Sequence, residues 1–498
     1  MDMQMELTSD QRVLIDDKNR LNETSLERYR LAGQIAQTGL VFVQGLLKNN
    51  HEAERSVGEI CRLGDAFLQK ATANVFKRQK VEEKGIALPV QIEKDEFVCS
   101  VAPEEGDVFQ GGFLKEGDVA KITLGVHIDG YTAQVSHSFV IRDRDQDLRQ
   151  EPQPLVGTKA DAVCAAYIAT EAVISLLSLV LTPNATIAAG EGPITGQKIK
   201  TLVEKIATIF RVKVAPGSRV RRVRRFLAGQ SDVVQENDFK GVTWDEAVEE
   251  ERALSRIHKP EESSLSNEFA DDFAVQEGEV WLVDLRMAAT EGKNGVVKTT
   301  EFTGYGADTV KPSIYSRDYA VQYGLKINAA RTLLSRSAAL TSVYPFKLSY
   351  VAENASDLAS AKLGLSELVQ HHIFVPQTIR TAEFVPLDLF VNGNPSYRDI
   401  KKASKPVPVA REMSTIVLLS AAESHSGFSE LIRLTGGNKT APPSWVHSNY
   451  EVTDPTINEL LQFKANKKLH GINFQDVQPS KFDMAEAIKP IDNSMDLD

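Results

Sequence analysis

The densest concentration of side chains that could do chemistry is a run of cations between residues 211 and 225, RVKVAPGSRVRRVRR. No acidic residue interrupts this basic segment. A guanidinium group binds a phosphate through two parallel hydrogen bonds and needs only an exposed position to do so. The basic segment therefore predicts contact with a polyanion such as RNA. The candidate RNA-binding residues are Lys213, Arg219, Arg221, Arg222, Arg224 and Arg225.

The conformation of the basic segment is left open by the sequence. A strand would put Arg219 and Arg221 on one face, whereas a helix would align Arg221 with Arg224 and Arg225. Both conformations predict a dense cationic rim. The alternative is internal neutralisation, because residues 232–272 carry thirteen carboxylates against four lysines and arginines. Exposed ion pairs are weak, which counts against this alternative. The same acidic stretch could instead restrict the basic segment to binding a strong polyanion.

Other chemically capable residues are too few or wrongly spaced for a site. His127 and His137 lie near Asp129 in a predicted hairpin, where they are interpreted as polar strand residues. His371 and His372 are adjacent, so on a helix their side chains would point about 100° apart and could not easily share one ion. The three cysteines form no Cys-x-x-Cys pair, which argues against a thiolate zinc site. The sequence predicts no metal or other cofactor.

The charge and composition of the whole chain are those of an ordinary globular protein. Among 498 residues, 57 lysines and arginines oppose 68 aspartates and glutamates, which gives a net charge of −11. This balance argues against indiscriminate coating of nucleic acid, and no DNA contact is expected, but it allows a local basic surface. The most apolar run, residues 172–181, is too short to span a bilayer, and the polar N-terminus lacks the pattern of a signal peptide. We expect no membrane insertion and, from the sparse cysteines, a reducing compartment.

Hydrophobic periodicity predicts long helices interspersed with strands. Asp129-Gly130, between two of the strands, is a strong signal for a tight hairpin. The strand over 280–285 is predicted to pair with 296–302. Helices are predicted over 22–48, 57–71, 159–181, 198–210 and 327–339, and strands over 119–127, 131–141, 280–285, 296–302 and 409–419.

Three features of the C-terminal part are predicted separately. Residues 344–377 combine helical apolar spacing with a short apolar run, which suggests a small winged-helix-like unit. Residues 478–498 hold two prolines, five acids and little periodicity, which predicts a disordered acidic tail. Trp445, which follows Pro442-Pro443, is predicted to pack against the core rather than to form a binding hot spot.

Four segments carry a resemblance to a known superfamily: LAGQIAQTGL (31–40), KITLGVHIDGYTAQVSHSFVI (121–141), EGEVWLVDL (277–285) and VAREMSTIVLL (409–419). The chain resembles the creatinase and methionine aminopeptidase superfamily, and within it type II methionine aminopeptidases and proliferation-associated proteins. The resemblance implies an α+β pita-bread fold with a type II-like helical insertion and family-specific loops. It implies a discontinuous pita-bread domain of residues 1–343 and 378–477, an insertion of residues 344–377 and the tail of residues 478–498.

The resemblance also allows a test for enzyme chemistry, because peptidases of this superfamily activate a water with two metal ions. Matched motif by motif, the ligand positions hold Thr123, Gln134, Arg219 (or Ser218), Asp284 and Met413, and the position of the substrate-facing histidine holds Ser100. Only Asp284 is a carboxylate, and the others cannot offset the charge of two divalent ions. We therefore predict a pseudoenzyme in which Asp284 is a hydrogen-bonded strand residue. An active metallopeptidase and a non-cleaving binder of peptide N-termini remain as alternatives.

Three further segments carry a more specific resemblance: GVHIDGYT (125–132), PGSRVRRVRRFLAGQ (216–230) and RLTGGNKTAPPSWVHS (433–448). They are similar to segments of fungal proteins associated with the ribosomal export complex. This resemblance implies an assembly and export factor of the pre-60S ribosomal subunit, bound to rRNA and ribosomal proteins near the polypeptide exit tunnel. It implies shuttling between the nucleus, with its nucleoplasm and nucleolus, and the cytoplasm. It further implies contacts with FG-repeat nucleoporins, a small basic shuttling partner and a cytoplasmic release factor.

Overall fold

The computed structural model describes residues 19–488 apart from internal gaps. The residues outside the description are 1–18, 49, 51–53, 78–80, 82, 105–106, 108–111, 143–153, 183–191, 227–239, 259–272, 305–309, 353, 391–394, 444, 466–471 and 489–498. Much of the acidic stretch 232–272 therefore lies outside the described residues.

Helices and strands alternate along the chain as the periodicity predicts. The helices are α1 (Glu23–Lys48), α2 (Val57–Asn74), α3 (Thr158–Ser178), α4 (Gly196–Ile209), α5 (Glu246–His258), α6 (Asn328–Thr341), α7 (Ala355–Gln370), α8 (Tyr397–Ala403), α9 (Pro455–Ala465) and α10 (Met484–Ala487). The strands of the first half are β1 (Lys84–Lys94), β2 (Phe97–Cys99), β3 (Val119–Ile128), β4 (Tyr131–Val140), β5 (Lys213–Val214), β6 (Arg219–Val223) and β7 (Gly241–Thr243). The later strands are β8 (Val280–Ala288), β9 (Gly295–Glu301), β10 (Ile314–Arg317), β11 (Phe346–Lys347), β12 (Phe374–Gln377), β13 (Arg380–Pro386), β14 (Lys405–Pro406), β15 (Val409–Leu419), β16 (Glu430–Arg433) and β17 (Asn473–Asp476).

The predicted hairpin forms between β3 and β4. Asp129 and Gly130 both have positive φ angles, 54° and 81°. A tight two-residue turn requires such left-handed conformations, and glycine adopts them without steric cost. The two strands pair in continuous register along their whole length. This register fixes which side chains of β3 and β4 share one face of the sheet.

A long sheet joins the two halves of the chain in the order β1-β3-β4-β15-β8-β6-β7. β16 and β17 extend it from β15, and β5 pairs with β8. α1 and α2 pack on β1, β3 and β4, whereas α3 packs on β8 and β15 with α4 beside it. Their apolar faces form two cores, one containing Leu40 and Ile122 and the other containing Leu177 and Val283. The helices therefore leave the opposite, inner face of the sheet to polar side chains.

A smaller unit is built around the predicted insertion. β10, β11 and β12 form a three-stranded sheet in the order β11-β10-β12, and α6 and α7 pack on a core that contains Phe346 and Phe374. Because β10 and α6 precede β11 in the chain, the unit includes residues well ahead of its predicted start. Lys347 joins this unit to the main domain through a buried ion pair with Asp65, 3.3 Å between Nζ and Oδ2.

One predicted strand pairing is wrong. β9 does not pair with β8 but with β13, in a separate sheet that also contains β2 and β14. The reason is that both edges of β8 are occupied, by β15 on one side and by β6 and β5 on the other. A strand enclosed by two neighbours has no free edge for the next strand of the chain.

The structure also differs from the predicted disorder of the C-terminal tail. Residues 478–488 pack on α1 and α2, and only 489–498 lie outside the described residues. The Phe482 ring lies against the rings of Phe42 and Phe67, with centroids 6.0 and 5.4 Å apart. A few apolar anchors hold this segment, and a composition-based prediction does not detect them.

Helix α3 and the turn that follows it, Thr158–Leu181, are long and apolar enough to cross a membrane, unlike the shorter run considered in the sequence. In this structure 72% of the most apolar window is buried inside the protein. Small residues such as Ala166 and Ala169 belong to the buried face of α3, which contacts β8 and β15. α3 is thus the central helix of the second core.

Candidate functional site

The inner face of the sheet brings most of the predicted ligand positions into one row. Thr123 pairs with Ser136, Ser136 with Met413, Met413 with Asp284 and Asp284 with Arg219. Residues directly opposite each other in neighbouring strands project to the same face of a sheet. Thr123, Met413, Asp284 and Arg219 therefore share one region of the inner face, although they come from four different strands.

The centre of this region is a guanidinium group that the sequence did not suggest as a site residue. Arg411 lies two residues before Met413 on β15. Its Nε and Nη2 donate to the two carboxylate oxygens of Asp284 at 2.7 and 2.8 Å, and its Nη1 donates to Thr123 Oγ1 at 3.3 Å. Arg411 and Asp284 are 4% and 0% exposed. The contact is a buried, bidentate and charge-assisted ion pair.

Two further arginines approach the same carboxylate. Arg219 Nε lies 3.5 Å and Arg286 Nη2 lies 3.6 Å from Asp284 Oδ2. Burial alone would raise the pKa of the Asp284 carboxyl, but the neighbouring guanidinium groups, Arg411 first, outweigh burial and hold this pKa well below its ordinary value. Asp284 is therefore ionised at neutral pH, as a hydrogen-bonded strand residue.

A second carboxylate, Glu93 on β1, belongs to the same region and accepts a hydrogen bond from Thr123 Oγ1 at 3.4 Å. Burial raises the pKa of Glu93 against the opposing effect of nearby cations. Lys121 on β3 is also buried, donates to two backbone carbonyls at 2.6 and 2.9 Å, and has its pKa lowered by burial to about 8. We call these side chains the inner-face charge cluster. Its cations are Arg219, Arg286, Arg411 and Lys121, and its carboxylates are Asp284 and Glu93.

The inner-face charge cluster does not fit the two metal ions that the superfamily resemblance implies. Divalent cations need several anionic oxygen ligands, but both oxygens of Asp284 are bonded to Arg411. Met413 and Thr123 supply no charge, and the guanidinium groups would repel an approaching metal ion. Among the residues that the structure describes, no group of three His, Cys, Asp or Glu side chains is placed to bind a metal. No catalytic step through a metal follows from this arrangement.

The other predicted positions have structural roles near this region. Ser100 adopts a positive φ of 66°, and its N–H donates to Gln91 Oε1 at 2.9 Å. The backbone carbonyl of Gln134 accepts hydrogen bonds from two threonine hydroxyls at 3.1 and 2.5 Å. Ser218, the alternative to Arg219 at the histidine position, donates from Oγ to two backbone carbonyls at 2.8 and 3.2 Å. These polar groups link strands and turns of the scaffold to one another.

The basic segment forms β5, a turn and β6, so the strand alternative is the one observed. Its side chains do not form the exposed rim that the sequence predicts. Arg222 and Arg224 are buried, at 9% and 8% exposure, and Lys213, Arg219 and Arg221 are half-buried. The physical reason is that β6 lies inside the sheet, between β7 and β8. Contact of these residues with RNA remains a prediction.

Carboxylates of neighbouring elements neutralise part of the basic segment. Arg222 Nη1 lies 3.5 Å from Glu279 Oε1, and Arg225 Nη2 lies 2.7 Å from Asp129 Oδ1. Internal neutralisation is therefore observed, but these partners lie outside the acidic stretch 232–272 that the sequence suggested. Partners across adjacent strands are far apart in the sequence, so charge runs alone do not reveal them.

The two histidines of the hairpin are separate and buried. His127 stacks on Tyr344, with ring centroids 4.1 Å apart, and burial lowers the pKa of His127 to about 3. His137 Nδ1 lies 2.9 Å from Glu412 Oε1. Each histidine is thus part of the packing or polar network of its own strand, in agreement with the structural interpretation of the sequence.

The prediction for Trp445 is wrong. Its side chain is 45% exposed, and the guanidinium carbon of Arg142 lies 4.8 Å from the centroid of its ring. The Trp445 carbonyl accepts a hydrogen bond from the Leu155 N–H at 3.1 Å, which fixes the backbone of this loop while the ring faces outwards.

Comparisons with known proteins place the chain in a family. No family model matches the sequence. "Probable metalloprotease ARX1" of Yarrowia lipolytica is 46% identical over 490 residues, which cover 95% of this chain and 97% of the relative. The protein of the same name from Saccharomyces cerevisiae is 36% identical over 570 residues, which cover 95% and 96%. The chain belongs to the Arx1 family.

A solved structure of a thermophilic Arx1 shares the fold. It superposes with a TM-score of 0.61 at 18% identity and covers 89% of this chain and 98% of the other. The predicted α+β pita-bread fold is confirmed. The Arx1 relatives are named for a probable metalloprotease activity. In this chain cations surround Asp284, the one carboxylate among the predicted ligand positions.

Sequence reasoning missed four members of the inner-face charge cluster, Arg411, Arg286, Lys121 and Glu93. A signal was present, since VAREMSTIVLL and VWLVDLRMA each place charges inside an otherwise apolar strand. A charge within a buried strand needs a partner. The sequence could not show which partner, because Arg411 and Asp284 are 127 positions apart.

Proposed function

We propose that this Arx1 family protein is a non-catalytic assembly and nuclear export factor of the pre-60S ribosomal subunit. It binds near the polypeptide exit tunnel, through rRNA and ribosomal proteins, and accompanies the particle from the nucleus to the cytoplasm. FG-repeat nucleoporins, a small basic shuttling partner and a cytoplasmic release factor are its transient partners. Support comes from the three sequence segments that are similar to fungal proteins associated with the ribosomal export complex.

The observation that supports a non-catalytic role is the bidentate pair between Arg411 and Asp284. In a metal-dependent peptidase this part of the inner face must be anionic to hold the ions that activate water. Here a guanidinium group already satisfies the carboxylate, and additional cations lie around it. This protein keeps the fold but carries cations at this part of the inner face, which supports a role as a binding protein that acts through its surface.

The proposed RNA contact lies on the accessible part of the basic segment. Lys213 and Arg221 are half-buried, whereas Arg222 and Arg224 are buried. Phosphate contacts need donors that reach solvent, so Lys213 and Arg221 are better placed than Arg222 and Arg224 to reach a nucleic-acid backbone. Reversing their charge should weaken binding and reduce its dependence on salt.

Sedimentation of the tagged full-length chain in extracts of a fungal host tests this function. We expect the wild-type chain to sediment with pre-60S particles, and the Lys213→Glu/Arg221→Glu variant to dissociate from them at lower salt. Lys362→Glu/Arg398→Glu provides a matched control, because both residues are exposed cations, on helices α7 and α8 rather than on β5 or β6. Absence of the wild-type chain from the pre-60S fraction would contradict the ribosomal role. Equal salt dependence of the Lys213→Glu/Arg221→Glu variant and the wild type would contradict the RNA contact alone.

The relatives are named as probable metalloproteases, which favours a second candidate function, an active metallopeptidase. This candidate requires divalent metal bound in a stoichiometric amount and cleavage of peptides. The charge balance of the inner face argues against it, and analysis of the metal content of the purified protein distinguishes the two functions.

A further inference from the structure

Three guanidinium groups share one carboxylate on the inner face of the sheet. Arg411 occupies both oxygens of Asp284 through two short hydrogen bonds. Arg219 and Arg286 lie farther away, at 3.5 and 3.6 Å from Oδ2. Because one carboxylate carries one negative charge, Asp284 neutralises only one of the three guanidinium groups, and Arg411 has the closest contact. Asp284 alone therefore leaves positive charge at this part of the inner face.

The Arg286 side chain shows this deficit of negative charge directly. Arg286 is 9% exposed, and its Nε is buried and has no hydrogen-bond acceptor within the part of the chain that the structure describes. Its Nη1 donates to the neutral carbonyl of Val98 at 3.3 Å. Burial and the neighbouring charge of Arg411 both lower the pKa of Arg286. A buried guanidinium group with an unused donor gains from an additional anionic acceptor.

The backbone around Arg286 holds its guanidinium group in place. The Arg286 N–H donates to Ser218 Oγ at 3.0 Å. Gly217 has a positive φ of 83°, and a Cβ atom at this position would come within 2.8 Å of Arg286 Nη1. The absence of a side chain at Gly217 therefore leaves the room that the guanidinium group occupies. A donor that is fixed before the ligand arrives loses little conformational freedom on binding.

Two of the three arginines also reach solvent. The side chains of Arg219 and Arg286 are 18% and 11% exposed, whereas that of Asp284 is completely buried. An anion that approaches from solvent can therefore contact guanidinium groups, while the carboxylate is shielded from it. Because Arg219 and Arg286 both reach the same oxygen of Asp284, they are close enough together to contact one small oxyanion.

We propose that Arg219 and Arg286 form a binding site for a small oxyanion, a phosphate or a carboxylate, where the superfamily resemblance implies metal ions. The Nε of Arg286 and the guanidinium group of Arg219 donate to the oxygens of the anion. Arg411 remains bonded to Asp284 and neutralises it, which limits the repulsion between this carboxylate and the ligand. The site thus selects the opposite class of ligand from the divalent cations of a peptidase. The inference does not depend on ribosome binding, because the free chain carries all of these residues.

Isothermal titration calorimetry of the purified full-length chain with inorganic phosphate, and separately with acetate, at constant ionic strength tests the proposal. We expect saturable binding of at least one probe, and the tighter probe identifies the ligand as a phosphate or a carboxylate. Arg219→Gln should weaken binding about tenfold, because a charge-assisted contact is lost, and Arg286→Gln should weaken it at least as much. Arg317→Gln is the matched control and should bind like the wild type, because Arg317 is a half-buried arginine on β10, in a different sheet.

The outcomes separate a specific site from a general effect of salt. Circular dichroism and the unfolding temperature show whether each variant is folded. If Arg286→Gln does not fold, Arg219→Gln decides the question, because Arg219 is partly exposed. Equal affinities of folded Arg219→Gln and Arg317→Gln would overturn the proposal, as would the absence of saturable binding of both probes. Neither result would bear on sedimentation with pre-60S particles, which is tested with Lys213 and Arg221.

Discussion

The two ends of β6 each place an arginine beside a buried aspartate, and the two ion pairs differ in how completely they are enclosed. At the start of the strand, Arg219 lies 3.5 Å from Asp284, which is completely buried. Just beyond its end, Arg225 donates to Asp129 at 2.7 Å at the tip of the hairpin. Arg28 of α1 reaches the same carboxylate, and its side chain is 20% exposed.

The difference shows how burial decides the role of one pair of residue types. In the interior no water replaces a lost partner, so Asp284 and its arginines depend on one another. At the hairpin tip Asp129 is also buried, but 20% of the side chain of its partner Arg28 is exposed, so water can offset part of a lost contact. The basic segment is therefore not one functional unit, because Arg219 belongs to the inner-face charge cluster and Arg225 binds the carboxylate of the hairpin tip.

The largest effect is expected from removing the buried carboxylate. Asp284→Asn should lower the free energy of unfolding by about 3–5 kcal/mol, because the charge of Arg411 is left buried without compensation. Urea denaturation followed by circular dichroism measures this loss. Asp129→Asn is the control, as the same substitution at the hairpin tip. A loss from Asp284→Asn no larger than that of the control would contradict the distinction between the two regions.

Replacing both Asp284 and Arg411 should lower the free energy of unfolding by less than the sum of the two single replacements. The Asp284→Leu/Arg411→Met variant removes both charges and leaves none uncompensated in this pair. Its loss of unfolding free energy should be smaller than the sum of the two single losses by about 2 kcal/mol or more. Urea denaturation of the four proteins of this cycle provides the coupling energy. Additive losses would mean that the two side chains act independently.

The sequence predicted much of the scaffold but not the ion pairs at the two ends of β6. Turn chemistry and hydrophobic periodicity are local sequence signals. They predicted the hairpin, the long helices and the buried strands over 280–285 and 409–419. The resemblance of motifs identified Thr123, Asp284 and Met413 as neighbours. It could not identify Arg411 as their central partner, because pairing across a sheet is not encoded in sequence spacing. For the same reason the predicted partner of β9 is wrong, and the predicted exposure of the basic segment is prevented by the position of β6 between β7 and β8.

Acid should weaken the wild-type protein more than the Asp284→Asn variant. The pKa of Asp284 in the folded state lies below its ordinary value, so the folded protein binds fewer protons there than the unfolded chain. This contribution to stability is fully present above the unfolded pKa of about 4 and is lost as pH falls through the lower folded pKa. Urea midpoints between pH 6 and pH 3 should therefore converge for the two proteins. Parallel midpoints over this range would contradict the assignment.

The smallest effect is expected at the hairpin tip. Asp129→Asn should cost about 1.5–3 kcal/mol, because Arg28 and Arg225 lose a charged acceptor but keep partial contact with solvent and with the ring of Tyr131. Added salt should reduce this cost only slightly, because the Asp129 carboxylate is largely shielded from solvent. Urea denaturation at low and high salt measures both values. A cost as large as that of Asp284→Asn would remove the contrast between the two ends of β6.

Arginines occupy the part of the inner face at which the superfamily resemblance implies metal ions. Whether metal can still bind there is measured by incubating the purified full-length chain with manganese, cobalt or zinc, desalting it and determining its metal content by mass spectrometry. The arginine-filled inner face predicts no stoichiometric metal, no peptide cleavage and an unfolding temperature that a chelator does not change. Retention of about two ions per chain, lost in an Asp284→Ala variant and accompanied by cleavage of peptides, would contradict it.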